Sequence, residues 1–269
     1  MNSGEVQIIQ HTSAPREFIA RGIPTFGTVN VFWATRCFAQ LRHPMNRTIR
    51  DYIVVGNEVG LARNHIIELA LGAEERDPSV RCSHVFFLDD DVLVHPDGLL
   101  KLLADDRPIV SGLYFAKSSV PQPLVLHEEG KGVATKWQPG DIVDCWAHGM
   151  GLTLIRTEVF RRMRDQIDLG VDECGRPAWF KTTRDKPLYR NDGTMVFVNE
   201  TEDVWFLRHA ASLGYQPCVD TSAAAFGFHW AEAEKQAYPL DQWHEFNDKG
   251  TITWPDTRDG NPVVWGQAA

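Results

Sequence analysis

The sequence lacks the cysteine pattern of a disulfide-stabilised or zinc-binding protein. Its five cysteines are odd in number, scattered, and form no C-x-x-C pair. We therefore expect reduced thiols, as in proteins kept inside the cell. The five positions are Cys37, Cys82, Cys145, Cys174 and Cys218.

Long apolar runs and basic runs are also missing. Nowhere do 18 apolar residues follow one another, and residues 1–21 lack the apolar segment of a secretory signal. The formal charge is −9, from 36 acidic and 27 basic residues, which disfavours binding to nucleic acid through its phosphates but leaves a local basic face open. We expect a soluble protein without a transmembrane segment, located in the cytoplasm, or in the host cytoplasm if the gene is viral.

Three common motifs are absent as well. The chain has no G-x-x-x-x-G-K-[ST] loop, no G-x-G-x-x-G after a strand, and no G-x-S-x-G. These absences argue against a P-loop NTPase, a dinucleotide-dependent dehydrogenase and a hydrolase with a nucleophile elbow.

Strand-like and helix-like segments alternate along the chain. Apolar runs predict strands at about 18–25, 48–55, 84–88 and 108–114, and apolar residues at helical spacing predict helices between them, the third opening at Pro96. This order implies a parallel sheet with helices on both faces. Further predicted elements are strands at 142–146, 152–155 and 216–219 and helices from about 158 and 201.

The chain length suits one large α/β domain followed by a tail. We expect the domain over residues 1–230 and a C-terminal arm over 231–269 that packs on it. Residues 121–140 predict an irregular excursion, and residues 165–199 have no clear pattern.

Three consecutive carboxylates, Asp89, Asp90 and Asp91, directly follow the apolar run 84–88. Ligands of open α/β sheets bind at the carboxyl ends of strands. In extended chain Asp89 and Asp91 project to one side, where they could share Mg²⁺ or Mn²⁺, while Asp90 points the other way. A solvated turn is the alternative, but adjacent acids repel one another unless a cation or donors compensate.

Three segments, in this order, resemble a GT-A-fold glycosyltransferase of the family 2 type: F-L-D-D-D-V, H-G-M-G-L-T-L-I-R-T-E-V-F and T-E-D-V-W-F-L-R-H-A-A-S-L-G-Y. The resemblance covers about residues 22–230. It implies a GT-A (Rossmann-like), mostly parallel sheet flanked by helices, with an irregular C-terminal arm outside it. It also implies a Mn²⁺- or Mg²⁺-dependent enzyme that moves a sugar from a nucleotide-diphospho-sugar, with UDP-sugar favoured, to a hydroxyl acceptor.

The resemblance assigns roles to single residues. Asp89 and Asp91 would hold the metal, with His229 completing the site, and Asp203 beside Glu202 would take the acceptor proton, so that anomeric configuration is inverted. The simpler alternatives are that His229 is a packed residue and that Glu202 and Asp203 are favoured by the helix dipole. The predicted donor or pocket residues are Thr25, Arg63, Asn64, Asp90, Lys117, Trp146, His148, Gly149, Met150 and Gly151.

Other functions stay open on the sequence. A nucleotidyltransferase or phosphohydrolase would also place acids on a metal after a strand, and a non-catalytic module could bind sugar nucleotides or glycans. The sequence leaves the acceptor open among a glycan, a lipid-linked sugar, a protein, a small molecule and a modified DNA base. It also leaves open the donor base and sugar, whether the anomeric configuration is inverted or retained, and the oligomeric state.

Overall fold

A computed structural model describes residues 15–118, 122–128, 132–134, 136–189, 194–241, 248–249, 252–255 and 262–265. The strands are β1 (Arg16–Thr25), β2 (Thr48–Val55), β3 (Val80–Leu88), β4 (Val92–Val94), β5 (Ile109–Gly112), β6 (Val125–Leu126), β7 (Ile142–Asp144), β8 (Ala147–His148), β9 (Leu152–Arg156), β10 (Thr183–Tyr189), β11 (Met195–Glu200), β12 (Cys218–Asp220), β13 (Gly227–Ala231), β14 (Gln236–Tyr238), β15 (Ile252–Pro255) and β16 (Pro262–Trp265). The α-helices are α1 (Val31–Ala34), α2 (Val59–Arg76), α3 (Gly98–Ala104), α4 (Thr157–Gln166) and α5 (Glu202–Ser212).

A seven-stranded sheet with the order β2-β1-β3-β9-β5-β12-β7 forms the centre of the fold. The strands β2, β1 and β3 are parallel to one another, and β12 is parallel to β5. The strand β9 runs antiparallel between β3 and β5, and β7 is antiparallel to β12. The predicted α/β class with a largely parallel, Rossmann-like sheet is confirmed: β2, β1, β3 and β5 all run in one direction, and β9 is inserted antiparallel between β3 and β5.

Both faces of the sheet are covered, as the apolar composition of β3 requires. Phe86 and Leu88 pack into one buried cluster, while Val85 and Phe87 pack into the other. All four side chains are fully buried. A strand whose successive side chains point to opposite faces must therefore lie between two layers, which explains its continuous apolar run.

The helix α2 packs closely on β1 because a glycine lies at the contact. A Cβ atom on Gly22 would lie 2.7 Å from the side chain of Ile66. The helix can therefore bring its N-terminal turns, which carry Arg63 and Asn64, up to the end of β3. Sequence periodicity predicted this helix correctly.

Two predicted helices differ from the observed ones. The segment 31–41 forms only the single turn of α1, followed by a π-helical stretch over Thr35–Gln40. The helix predicted to open at Pro96 begins at Gly98 instead, with Asp97 as its N-cap residue.

A second, three-stranded sheet of order β14-β13-β4 lies against the carboxyl end of β3. The strand β4 was not predicted, because three residues are too few for a periodic pattern. Residues 236–238 belong to this sheet through β14, while β15 and β16 form a separate hairpin. Trp243, which was expected in the C-terminal arm, lies outside the described residues, as do residues 1–14.

Among the described residues, no helix combines the length and the apolar character needed to cross a membrane.

Candidate active site

The three acids after β3 face different partners. The backbone of Asp89 is held at both ends, since its N–H donates to Gly151 O at 2.9 Å and its carbonyl accepts from Trp33 Nε1 at 2.7 Å. The Asp90 carboxylate turns toward Thr25, whose hydroxyl donates to it. Burial raises the pKa of Asp90, and this hydrogen bond opposes the rise. Asp90 therefore belongs to the side of the site that Thr25 lines.

Asp91 lies beside His229 and Lys117. Lys117 Nζ is 2.5 Å and His229 Nε2 is 3.5 Å from the same oxygen, Asp91 Oδ2. Burial disfavours ionisation of Asp91, but the hydrogen bonds and charges of His229 and Lys117 outweigh burial and lower its pKa to about 2. The Asp91 carboxylate is therefore held as an anion beside Lys117 and His229.

Strand pairing explains why a histidine so far along the chain reaches Asp91. In the β13–β4 ladder His229 is opposite Val92, the residue after Asp91, and Trp230 N donates to Asp91 O at 2.6 Å. On its other side His229 Nδ1 is 3.0 Å from Phe115 O. A carbonyl only accepts, so Nδ1 carries the hydrogen, and Nε2 is the ring nitrogen that faces Asp91.

This geometry fits a divalent cation held by two protein ligands. No group of three or more His, Cys, Asp or Glu side chains suited to a metal exists in the described part of the chain. The structure therefore does not bring Asp89 into one ligand set with Asp91 and His229. A carboxylate and an imidazole with an oriented second nitrogen are nevertheless suitable donors, and magnesium-type sites often take their other ligands from water and substrate phosphates.

Asp89 is paired with Arg63 on α2 instead. Arg63 Nη2 lies 2.8 and 2.9 Å from the two Asp89 oxygens, and Nη1 lies 2.6 Å from Glu202 Oε1. Burial raises the pKa of Asp89 and of Glu202, and the charge of Arg63 opposes both rises. Arg63, which was predicted to contact donor phosphates, thus has two carboxylate partners.

Asn64 is placed in the core, away from the acids. Its Nδ2 donates to Phe180 O at 3.0 Å, and its Oδ1 accepts from Phe180 N at 2.8 Å. The Phe180 ring stacks on Phe206 of α5 at a centroid distance of 4.6 Å. The described contacts of Asn64 therefore join α2 to the segment around Phe180.

The first turn of α5 carries Glu202 and Asp203. Asp203 Oδ1 accepts from Val204 N at 2.8 Å and from the Thr201 hydroxyl. The negative charge of Asp203 also acts on Arg63, Tyr114 and His148, so Asp203 lies close enough to these residues to affect their ionisation.

The small-residue loop 149–151 packs against Tyr114, a residue that the sequence did not single out. The Tyr114 hydroxyl accepts from Gly151 N at 2.8 Å, and a Cβ atom on Gly149 would overlap that hydroxyl. The Tyr114 ring contacts His229 edge to face at 5.5 Å. A strand-end tyrosine has no distinctive sequence signal, so only the fold reveals its position.

The remaining members of the predicted pocket are dispersed. Met150 is buried in the core. Trp146 lines a different cleft together with His127 and Gln216. His148 is buried, its Nδ1 lies 2.8 Å from Gly149 O, and its Nε2 has no hydrogen-bond partner among the described residues. Burial lowers the pKa of His148 to about 4.

Two clefts flank the N-terminus of α2. The first, of about 150 Å³, is lined by Thr25, Asn57 and the acids 89–91. The second, of about 490 Å³, is lined by Glu58, Phe180 and Lys181 among others. Gly60 lies between Glu58, which lines the second cleft, and Glu202 of α5. A Cβ atom on Gly60 would be 3.0 Å from Glu58 Oε2 and 3.3 Å from Glu202 Cβ. Sequence analysis missed Glu58 and the second cleft.

Comparisons with known proteins provide information on the fold only. Neither a scan of protein-family models nor a search of curated proteins found a match. The crystal structure of A197 from STIV is similar with a TM-score of 0.50 at 12% identity, covering 94% of this chain and 96% of that chain. At this low sequence identity the structural similarity shows a shared fold and nothing about function. The crystal structure of a glycosyltransferase involved in the glycosylation of the major capsid of PBCV-1 has 12% identity and covers 56% of this chain and 68% of that chain. Its TM-score of 0.27 is too low to support an argument.

Proposed function

We propose that this chain is a metal-dependent glycosyltransferase of the GT-A type, which moves a sugar from a nucleotide-diphospho-sugar to a hydroxyl acceptor. The observation that carries the proposal is the pair Asp91 and His229, whose oxygen and nitrogen lie 3.5 Å apart at the carboxyl end of β3. Asp91 also lines the cleft that Thr25 and Asp90 form. Ligand sites of open α/β sheets lie at this end of the strands.

Asp91 and His229 are the residues that would hold the metal, and the imidazole favours Mn²⁺ over Mg²⁺. A cation there would stabilise the negative charge that grows on a leaving diphosphate. Thr25, Asn57 and Asp90 line the space that a nucleoside would occupy, and UDP is the favoured donor nucleotide. Lys117, beside the same carboxylate, adds positive charge for the donor phosphates.

Asp203 is the proposed base. The acceptor hydroxyl must lose its proton as it attacks, so a carboxylate is needed within hydrogen-bond reach. Glu202 is less suited, because Arg63 holds its Oε1 at 2.6 Å. A direct displacement with Asp203 as base inverts the anomeric configuration.

The second cleft is the proposed acceptor site. It adjoins Glu202 across Gly60 and is lined by Glu58, Lys181 and Arg184 beside the apolar Phe180. Charged and hydroxyl side chains around an apolar floor suit a hydroxyl-rich acceptor, which offers both hydrogen-bonding groups and apolar ring faces.

A donor panel tests the proposal. The purified chain is incubated with UDP- and GDP-sugars, with and without Mn²⁺, and the released products are identified. We expect Mn²⁺-dependent release of a nucleoside diphosphate. Release of pyrophosphate or phosphate would indicate a nucleotidyltransferase or phosphohydrolase, and calorimetric binding without release would indicate a binding module. Either result would contradict the proposed function.

A further inference from the structure

Arg63 is an unusual arginine because it is buried and has two anionic partners from distant parts of the chain. Its side chain is 2% exposed. One terminal nitrogen contacts Asp89 at the end of β3, and the other contacts Glu202 at the start of α5. The guanidinium also lies 5.9 Å from the ring centre of Phe87 and 5.8 Å from that of Phe180. Its position between two rings and two acids leaves little room for contact with a substrate.

We propose that Arg63 is a positioning residue for sugar transfer, an inference that rests on the proposed function. Through Asp89 it holds the strand end that leads to Asp91, and through Glu202 it holds the helix turn that carries Asp203. Arg63 thereby keeps Asp91, the proposed metal ligand, and Asp203, the proposed base, at a fixed distance from each other. Displacing a reacting group by about 1 Å can lower a rate by about 100-fold.

The charge of Arg63 adds a second contribution. Asp89, Glu202 and Asp203 are three acids in a partly buried site, and they would repel one another without a cation among them. Arg63 supplies that cation permanently, whether or not a donor is bound. Because Glu202 remains paired with Arg63, Asp203 is left as the acid of α5 that can take the acceptor proton.

Only an arginine meets these requirements at position 63. The planar guanidinium presents several donors in fixed directions, so it can bind two carboxylates at once. A lysine at this position keeps the charge but is a single point donor on a flexible stem. The variant Arg63→Lys therefore separates the two-sided bridge from the charge itself.

The test compares Arg63→Lys with Arg21→Lys. Arg21 is a matched control, because it is also buried and holds both oxygens of one carboxylate, at 2.5 and 2.9 Å from Asp51, but it touches none of the site acids. For Arg63→Lys we expect kcat to fall by about 100-fold, while the donor KM and the calorimetric Kd of UDP with Mn²⁺ change by less than about 3-fold, as for a group that acts in the transition state. For Arg21→Lys we expect kcat to stay within about 2-fold of wild type, as for a substitution away from the reacting groups.

A second variant covers the case in which Arg63→Lys does not fold. Glu202→Gln keeps the side-chain shape and an oxygen that can accept from Arg63, but it removes the negative charge and leaves Asp89 paired with Arg63, so only the ion pair of one arm is lost. We expect a fall in kcat of at least about 10-fold with unchanged UDP affinity, as for a group whose contribution appears only in the transition state.

The outcomes separate this inference from the proposed function. If wild type transfers sugar and either variant retains wild-type kcat, the positioning role is overturned. If UDP affinity falls as much as kcat in Arg63→Lys, Arg63 contacts the donor phosphates and the positioning role is again overturned. If wild type itself releases no nucleoside diphosphate from any donor, the transfer function fails, and with it the role of Arg63.

Discussion

Asp89 and Asp91 are two residues apart and both line the first cleft, Asp89 with a side chain that is 25% exposed, yet their partners differ. Asp91 is 34% exposed and faces His229 and Lys117 beside an open cleft. Asp89 is bound on both oxygens by Arg63, which is itself buried and joined to Glu202. The cation beside Asp91 is a partly exposed lysine, while the cation of Asp89 is an arginine buried inside the protein.

The difference shows that a run of acids need not act as one site. A carboxylate bound by a buried arginine contributes mainly to positioning, because moving it would leave the buried charge of that arginine unpaired. A partly exposed carboxylate can exchange one cation for another at low cost. Asp91 is therefore the better metal ligand, and Asp89 the better structural partner.

The largest expected effect is that of a substitution at Asp91. For Asp91→Ala we expect metal-dependent transfer to fall by at least about 1000-fold, because metal stabilisation of the leaving group is worth several kcal/mol. Asp97→Ala is the control, since Asp97 is 35% exposed and paired with Arg42 away from the site. Full Mn²⁺-dependent activity in Asp91→Ala would remove the metal from the mechanism.

The next effect is at the proposed base. Asp203→Asn keeps an oxygen that can accept from Val204 N but cannot take a proton. We expect kcat to fall by about 100-fold or more, with the Kd of UDP and Mn²⁺ unchanged. A variant with normal turnover would assign proton removal to another group.

The two asparagines near the N-terminus of α2 offer a matched pair. Asn64→Ala would leave the buried backbone groups of Phe180 without their partners, so we expect the free energy of unfolding to fall by about 2–3 kcal/mol. UDP affinity should hardly change. Asn57→Ala, at the first cleft, should weaken UDP binding with little loss of stability. Urea unfolding and calorimetry measure both quantities, and the opposite pattern would return Asn64 to the donor site.

The smallest expected effect concerns the pH dependence of stability. The pKa of His148 is lowered from its ordinary value of 6.5 to about 4 by burial. Between these values the unfolded chain binds a proton that the folded chain does not, so the folding free energy that neutral His148 supports is lost as pH falls through this window. From pH 7 to pH 5 we expect this residue to contribute a loss of about 2 kcal/mol. Urea unfolding of His148→Gln should show a correspondingly smaller pH dependence than wild type; identical pH dependences would contradict the assignment.

Much of the fold could be predicted from local pattern. The bounds of β2 and the carboxyl ends of β1 and β3 agree with the apolar runs, and α2 agrees with helical spacing. The reversed direction of β9 could not be predicted, because a fully buried strand has the same apolar composition in either direction. The segment that begins with α1 also differs from its pattern, because a π-helical stretch replaces the predicted continuous helix after one turn.

The residues of the candidate site could be proposed from the sequence, but the ion pairs and hydrogen bonds between them could not. The acids after β3 were singled out from residue type and position, whereas the acids that open α5 and His229 were singled out from the family resemblance. Their partners were not, because Arg63 and Glu202 are 139 positions apart and meet only through the packing of α2 against α5. The sequence could not distinguish an arginine that binds phosphate from one that binds two acids.

The order of apolar and polar residues alone determined that this chain builds a largely parallel α/β sheet with acids at one strand end, because burial and periodicity are local properties. Only the tertiary structure decided which acid faces Lys117 and His229 and which is paired with Arg63. That choice depends on strand register and helix packing between distant segments, and on the requirement that every buried charge has a partner.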